Sequence, residues 1–98
     1  MGEAWAVKVR YTPRAFRQMN AILDYIEGRS PKGAQNVKQR LQTAIDLLAD
    51  HPHSGQATSR VGFRRFVANP FPYVVVYQTT ADAIIIHGVR HAARRPRG

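Results

Sequence analysis

Residues 6–11 alternate small or apolar side chains with basic ones: Ala-Val-Lys-Val-Arg-Tyr. Alternation with period two predicts a half-buried strand. It stops at Thr12-Pro13, a hydroxyl N-cap followed by the proline favoured in the first helical turn. Ala15, Phe16, Met19, Ile22, Leu23 and Ile26 then recur at steps of three and four, marking one stripe of an amphipathic helix that Gly28 ends. Ser30-Pro31 repeats the same punctuation. Ala34, Val37, Leu41, Ala44, Ile45 and Leu48 mark a second, longer helix, which must finish before Pro52 because that proline disfavours helical geometry at His51. Two helices this close in sequence form an αα-hairpin.

Residues 51–60 (HPHSGQATSR) lack any apolar period and read as a loop. Three strands are predicted beyond it, at residues 61–68, 73–79 and 83–89. The turns between them, residues 69–72 and 80–82, are short enough to force antiparallel neighbours. Residues 73–77 are apolar on both sides of the alternation, which places that strand at the centre of the sheet. The expected fold class is α+β in the order β-α-α-β-β-β, a two-helix hairpin on a small, mainly antiparallel sheet. Residues 90–98 hold four arginines and one proline. They are expected to fray, residues 91–98 above all, as a basic tail.

A chain of 98 residues supports one domain, residues 1–98. Its 44% apolar content is that of a globular protein rather than a disordered one. Cysteine is absent, so disulfide scaffolds, thiol catalysis and cysteine-based metal sites are excluded. There is no continuous apolar stretch of signal-peptide or membrane-span length, and the reading is a cytoplasmic protein with no membrane partner. The charge changes the picture more. Fifteen Lys+Arg against six Asp+Glu give a formal +9, and twelve of the fifteen cations are arginine, whose planar fork suits phosphate and carboxylate. Such an excess points to a polyanionic target or an acidic partner; the plainer reading is charge that keeps the chain soluble.

Individual residues narrow this only partly. Arg64 and Arg65 are neighbours on a predicted strand and so point to opposite faces, as contacts for an acidic partner or as solvated edge charges. His87 sits among isoleucines, where packing or a hydrogen bond to a neighbour is the expected role. His91 is placed just past the last strand, where its ordinary pKa permits acid–base chemistry; holding the tail by a hydrogen bond is the alternative. Arg90, Arg94, Arg95 and Arg97 form the densest positive region. His51 and His53 flank Pro52 with only Asp50 nearby, so no metal site is expected, and no cofactor. Trp5 precedes the first strand as a core lid or an interface anchor.

Several stretches together carry a resemblance. These are Ala-Ile-Leu-Asp-Tyr-Ile at 21–26, Ser30-Pro31 with Ala34, His51-Pro52-His53-Ser54-Gly55, Phe63-Arg64-Arg65-Phe66, Pro72 to Tyr77, and Val89-Arg90-His91-Ala92-Ala93-Arg94. In this order and spacing, over residues 6–96, the chain resembles the RelE/ParE superfamily of toxins from bacterial type II toxin–antitoxin modules, and most of all its ParE, or plasmid-stabilisation, branch. The resemblance implies the β-α-α-β-β-β fold. RelE-type members are ribosome-dependent ribonucleases that cut mRNA; ParE-type members poison DNA gyrase. RelE-like enzymes place an arginine in the central strand and commonly a tyrosine in the tail, whereas this chain has Val74 there and no tyrosine after Tyr77.

The resemblance therefore implies a non-enzymatic gyrase inhibitor neutralised by an acidic cognate antitoxin. Arg64, Arg65, Arg90, His91, Arg94 and Arg95 are the candidate contacts with target or antitoxin. The alternatives are a ribonuclease acting on mRNA at the ribosome, with His91, Arg64 and Arg65 as its catalytic candidates, and a binding module without toxicity. In linear sequence the cations look scattered, so direct nucleic-acid contact ranks behind protein partners.

Overall fold

The computed structural model describes residues 7–92, which form a two-helix hairpin on a five-stranded mixed sheet. The elements are β1 (Lys8–Tyr11), α1 (Pro13–Glu27), α2 (Pro31–Asp50), β2 (Gln56–Ala57), β3 (Phe63–Val67), β4 (Tyr73–Thr79) and β5 (Ala83–His91). Both helix starts work as the residue types dictate. The Thr12 hydroxyl accepts from the Ala15 N–H at 3.0 Å, and the Ser30 hydroxyl from the Gly33 N–H at 2.9 Å. Each places a proline in the first turn, where its missing N–H costs nothing.

The strand order is β1-β5-β4-β3-β2, with β4 in the middle. The pairs β2–β3, β3–β4 and β4–β5 are antiparallel, as their short connections require. β1 instead runs parallel to β5, from Lys8 opposite Ala83 to Tyr11 opposite Ile86, so the first strand closes onto the last. Val37, Leu41, Ala44, Ile45 and Leu48 of α2 and Ala15 of α1 pack with Val75, Tyr77, Ile84, Ile86 and Val89 of the sheet. Fully burying an aliphatic side chain of this kind contributes about 1.5–3 kcal/mol. Among the described residues, no polar or charged side chain apart from the Tyr77 phenol is fully buried.

Three boundaries differ from expectation. The segment 51–60 is not wholly a loop, because Gln56 and Ala57 pair with Arg65 and Arg64 as the edge strand β2. The strand expected from residue 61 begins at Phe63: Gly62 turns through φ 84°, and Val61 stands in solvent. β5 continues past residue 89 to His91, so Arg90 and His91 belong to the sheet and not to a tail. Trp5, Arg94, Arg95 and Arg97 lie outside the described residues.

Candidate functional site

β4 and β5 alternate faces, but the alternation of β5 slips once. Tyr77 pairs with Ile86 and Val76 with Gly88, leaving His87 as the extra residue of a β-bulge. Ile84 and Ile86 before the bulge, and Val89 after it, can therefore all face the helices. The residues between them face the other way. Register places Phe63 with Gln78, Arg65 with Val76, Val67 with Val74 and Val74 with Arg90 on this open face, and Arg10 joins them through its pairing with Ile85.

Beside the bulge lies a groove of about 640 Å³ lined by Thr12, Arg14, Gln18, Thr58, Arg60, Phe63, Val76, His87, Gly88 and Arg90. Three arginines enter it from different elements. Arg14 comes from the first turn of α1, Arg60 from the turn before β3, and Arg90 from the end of β5. Arg60 lies over the Phe63 ring at 4.3 Å, and the His87 ring packs against the same phenyl at 4.9 Å. The His87 Nε2 is hydrogen-bonded to Gln78 Oε1 at 2.9 Å. Burial, and then the Arg60 charge, hold its pKa below the ordinary histidine value. Gln18 fixes the floor: its Oε1 accepts from the Val89 N–H at 3.0 Å, tying α1 to the strand just past the bulge.

The candidate residues do not form one cluster. Arg65 stands on the open face, opposite Val76. Arg64 belongs to the other face, where its guanidinium donates to the Gly55 carbonyl at 2.8 Å and reaches the His53 carbonyl at 3.4 Å, bracing the 53–57 segment. His91 is also turned to the helix side. Its ring meets Tyr73 edge-on at 5.5 Å in a hollow of about 240 Å³ lined by Ala21, Ile22 and Tyr25. Only Arg90 of the described candidates lines the groove. Arg14 and Arg60, which do line it, carry no sequence signal beyond their charge. The sheet and the hairpin bring them to one place from positions far apart in the chain. Among the described residues, no group of three or more histidines, aspartates and glutamates is placed to hold a metal ion. No helix among them is long and apolar enough to cross a membrane.

Comparison with known proteins places this geometry in a family. Residues 9–96 match the model of the family described as "ParE toxin of type II toxin-antitoxin system, parDE". The chain is 40% identical over 87 residues to "Toxin RelE2" of Caulobacter vibrioides, covering 89% of this chain and 97% of the relative. It is 36% identical over 85 residues to "Putative toxin Y4kP" of Sinorhizobium fredii, covering 87% and 88%. Among solved structures, a chain of the chromosomal ParDE toxin–antitoxin system from P. aeruginosa shares the fold with a TM-score of 0.77 at 16% identity, over 90% of this chain and 98% of that one. The chain thus belongs to the ParE toxin family, within the RelE/ParE superfamily of type II toxin–antitoxin toxins.

Proposed function

We propose that this toxin acts in the cytoplasm as a non-enzymatic inhibitor of DNA gyrase and is held silent by an acidic cognate antitoxin. Membership of the ParE family supports the target, since the resemblance to the ParE branch implies gyrase. The observation that carries the non-enzymatic reading is the separation of the titratable candidates. Cutting RNA needs a base and an acid close together around a clamped phosphate. His91 and Arg64 lie on the helix side of the sheet, while Arg65 and Arg90 lie on the open side. Val74 occupies the central-strand position directly across from Arg90, so hydrocarbon stands where a ribonuclease would place its cation. His87 is the one residue lining the groove whose ordinary pKa lies near neutrality, and it is held toward its uncharged form and engaged by Gln78.

The antitoxin reading rests on charge. A formal +9 on 98 residues favours an acidic segment that orders itself on the toxin as it binds.

The decisive measurement is induction of the toxin without antitoxin, followed by gyrase supercoiling and cleavage assays on purified protein and by mapping of mRNA ends. The expected result is lost supercoiling with intact transcripts, retained in His91→Ala. Ribosome-dependent mRNA cuts that vanish in His91→Ala would replace this reading with the ribonuclease one. An absence of growth arrest would replace it with a non-toxic binding module.

A further inference from the structure

The outer face of α1 carries charges that work against the helix itself. Arg14, Arg17, Ala21, Asp24 and Gly28 recur at steps of three and four, and all are exposed, on the side away from the stripe that packs into the core. Arg14 and Arg17 stand near the positive end of the helix dipole. Asp24 and Glu27 lie in the last turn, at its negative end, with no acid in the first turn and no base in the last. Arg14 and Arg17 are also like charges three residues apart, as are Asp24 and Glu27. Among the described residues, no side-chain hydrogen bond or ion pair engages Arg17 or Asp24.

These penalties reverse when a second copy of the same helix lies antiparallel across Ala21. At 1.5 Å per residue, Arg17 is about 6 Å along the axis on one side of Ala21 and Asp24 about 4.5 Å on the other. A two-fold axis there sets Arg17 opposite Asp24 of the second copy and Asp24 opposite its Arg17, with the two dipoles opposed. A parallel pairing would set like against like. Ala21 has no side chain beyond its methyl, and beside it lies the hollow of about 240 Å³, so a second helix meets little bulk at the crossing. Tyr25 stands 62% exposed at the rim, with Arg29 over its ring at 4.3 Å, an aromatic anchor of the kind that interfaces favour. An acidic segment laid along this face would be repelled by Asp24 and Glu27, which favours a second copy over an acidic partner.

We infer that α1 is a homotypic docking face: two copies of this toxin pair antiparallel through α1 around Ala21, held by reciprocal Arg17–Asp24 contacts. The inference goes beyond the gyrase reading and does not depend on it, because the pairing needs neither gyrase nor antitoxin.

One helix face makes a small interface, so the pairing should be reversible and concentration-dependent. The test is sedimentation velocity of the full-length chain, free of antitoxin, at about 0.15 M salt, where the formal +9 is screened beyond about 8 Å. Wild type is expected to shift from monomer to dimer as its concentration rises. Arg17→Glu sets acid against acid and Asp24→Arg sets base against base; each is expected to weaken the dimer by more than about tenfold. Both substitutions put the new charge at the end of the helix that favours it and break a like-charged pair, so helicity by circular dichroism should hold or rise.

An equimolar mixture of the two single variants regains both opposite-charge contacts, as does the double variant, and each is expected to dimerise again. Lys38→Glu makes the same charge change as Arg17→Glu on the exposed side of α2 and is expected to leave the dimer unchanged. A wild type that stays monomeric would overturn the pairing. So would losses that neither the mixture nor the double variant recovers, or an equal loss in Lys38→Glu. A monomeric chain that binds polyglutamate and releases it in Arg17→Glu would also overturn it, giving the face to an acidic partner.

Discussion

The Tyr77 hydroxyl accepts a hydrogen bond from the Gly55 N–H at 2.9 Å and donates one to the Pro52 carbonyl at 2.7 Å. One phenol on the central strand thereby fixes both sides of the turn that follows α2. Arg64 adds a third attachment at the Gly55 carbonyl. Tyr77→Phe removes the hydroxyl and takes the partner from the buried Gly55 N–H and the half-buried Pro52 carbonyl. The expected cost is about 1–3 kcal/mol, read as a lower urea midpoint with an unchanged slope. Gly55→Ala is expected to cost more, because a Cβ there would stand 2.5 Å from the Tyr77 oxygen and 2.8 Å from the Arg65 carbonyl. A midpoint unchanged in both variants would show that the turn holds without this clamp.

Gly88 and Gln18 form a second coupled pair. A Cβ at Gly88 would lie 2.9 Å from the Gln18 Oε1, the atom that accepts the Val89 N–H. Gly88→Ala should push the Gln18 side chain aside and so lose the hydrogen bond that Gln18→Ala deletes directly. Each single variant is expected to lose about 1 kcal/mol, and the double variant distinctly less than the sum. Strict additivity in a double-mutant cycle would contradict the coupling.

The two caps separate local from tertiary effects. Ser30 caps α2 at an exposed site by one local bond, so Ser30→Ala should cost about 1 kcal/mol. Thr12 caps α1 and also reaches the His87 carbonyl at 3.5 Å, across 75 residues of sequence. Thr12→Ala is expected to lower the thermal midpoint further than Ser30→Ala; the reverse order would show that the long bond contributes nothing.

Acid should destabilise the toxin through His87. Burial and the Arg60 charge lower its pKa in the fold, and Arg14 and Arg90 line the same groove. The unfolded chain therefore takes up the proton first. This contribution is intact above the unfolded value of about 6.5 and is lost as pH falls from there through the folded pKa. Thermal midpoints measured from neutral pH downward should drop more steeply for wild type than for His87→Asn. Parallel curves would assign the acid sensitivity elsewhere.

What the sequence reveals here is what short-range chemistry decides. Thr12-Pro13 and Ser30-Pro31 mark the helix starts because capping involves only neighbouring residues. Residues 73–79 read as the central strand because both of their faces are apolar. The edge strand β2 was illegible: two residues carry no period, and the strand forms by pairing with Arg65 and Arg64 of β3, next to the turn that Tyr77 and Arg64 hold. The bulge at His87 was equally hidden, and its consequences reach further. One extra residue resets the alternation, so Arg90 faces the groove while His91 turns toward Tyr73 and α1. A tail reading of these two residues could not separate them. The cations that look scattered in the linear sequence converge because Arg14, Arg60 and Arg90 sit where three elements meet.

The parallel pairing of β1 with β5 has a consequence in time. Lys8–Tyr11 find their partners only when residues 83–86 exist, and Gln18 waits for Val89. A ribosome makes the helical hairpin early, yet the sheet edge and the arginine groove are completed only when residues 83–90 have emerged. Synthesis itself thus withholds the finished sheet edge and groove until β5 has been made. A chain truncated before residue 83 would carry the helices without the surface.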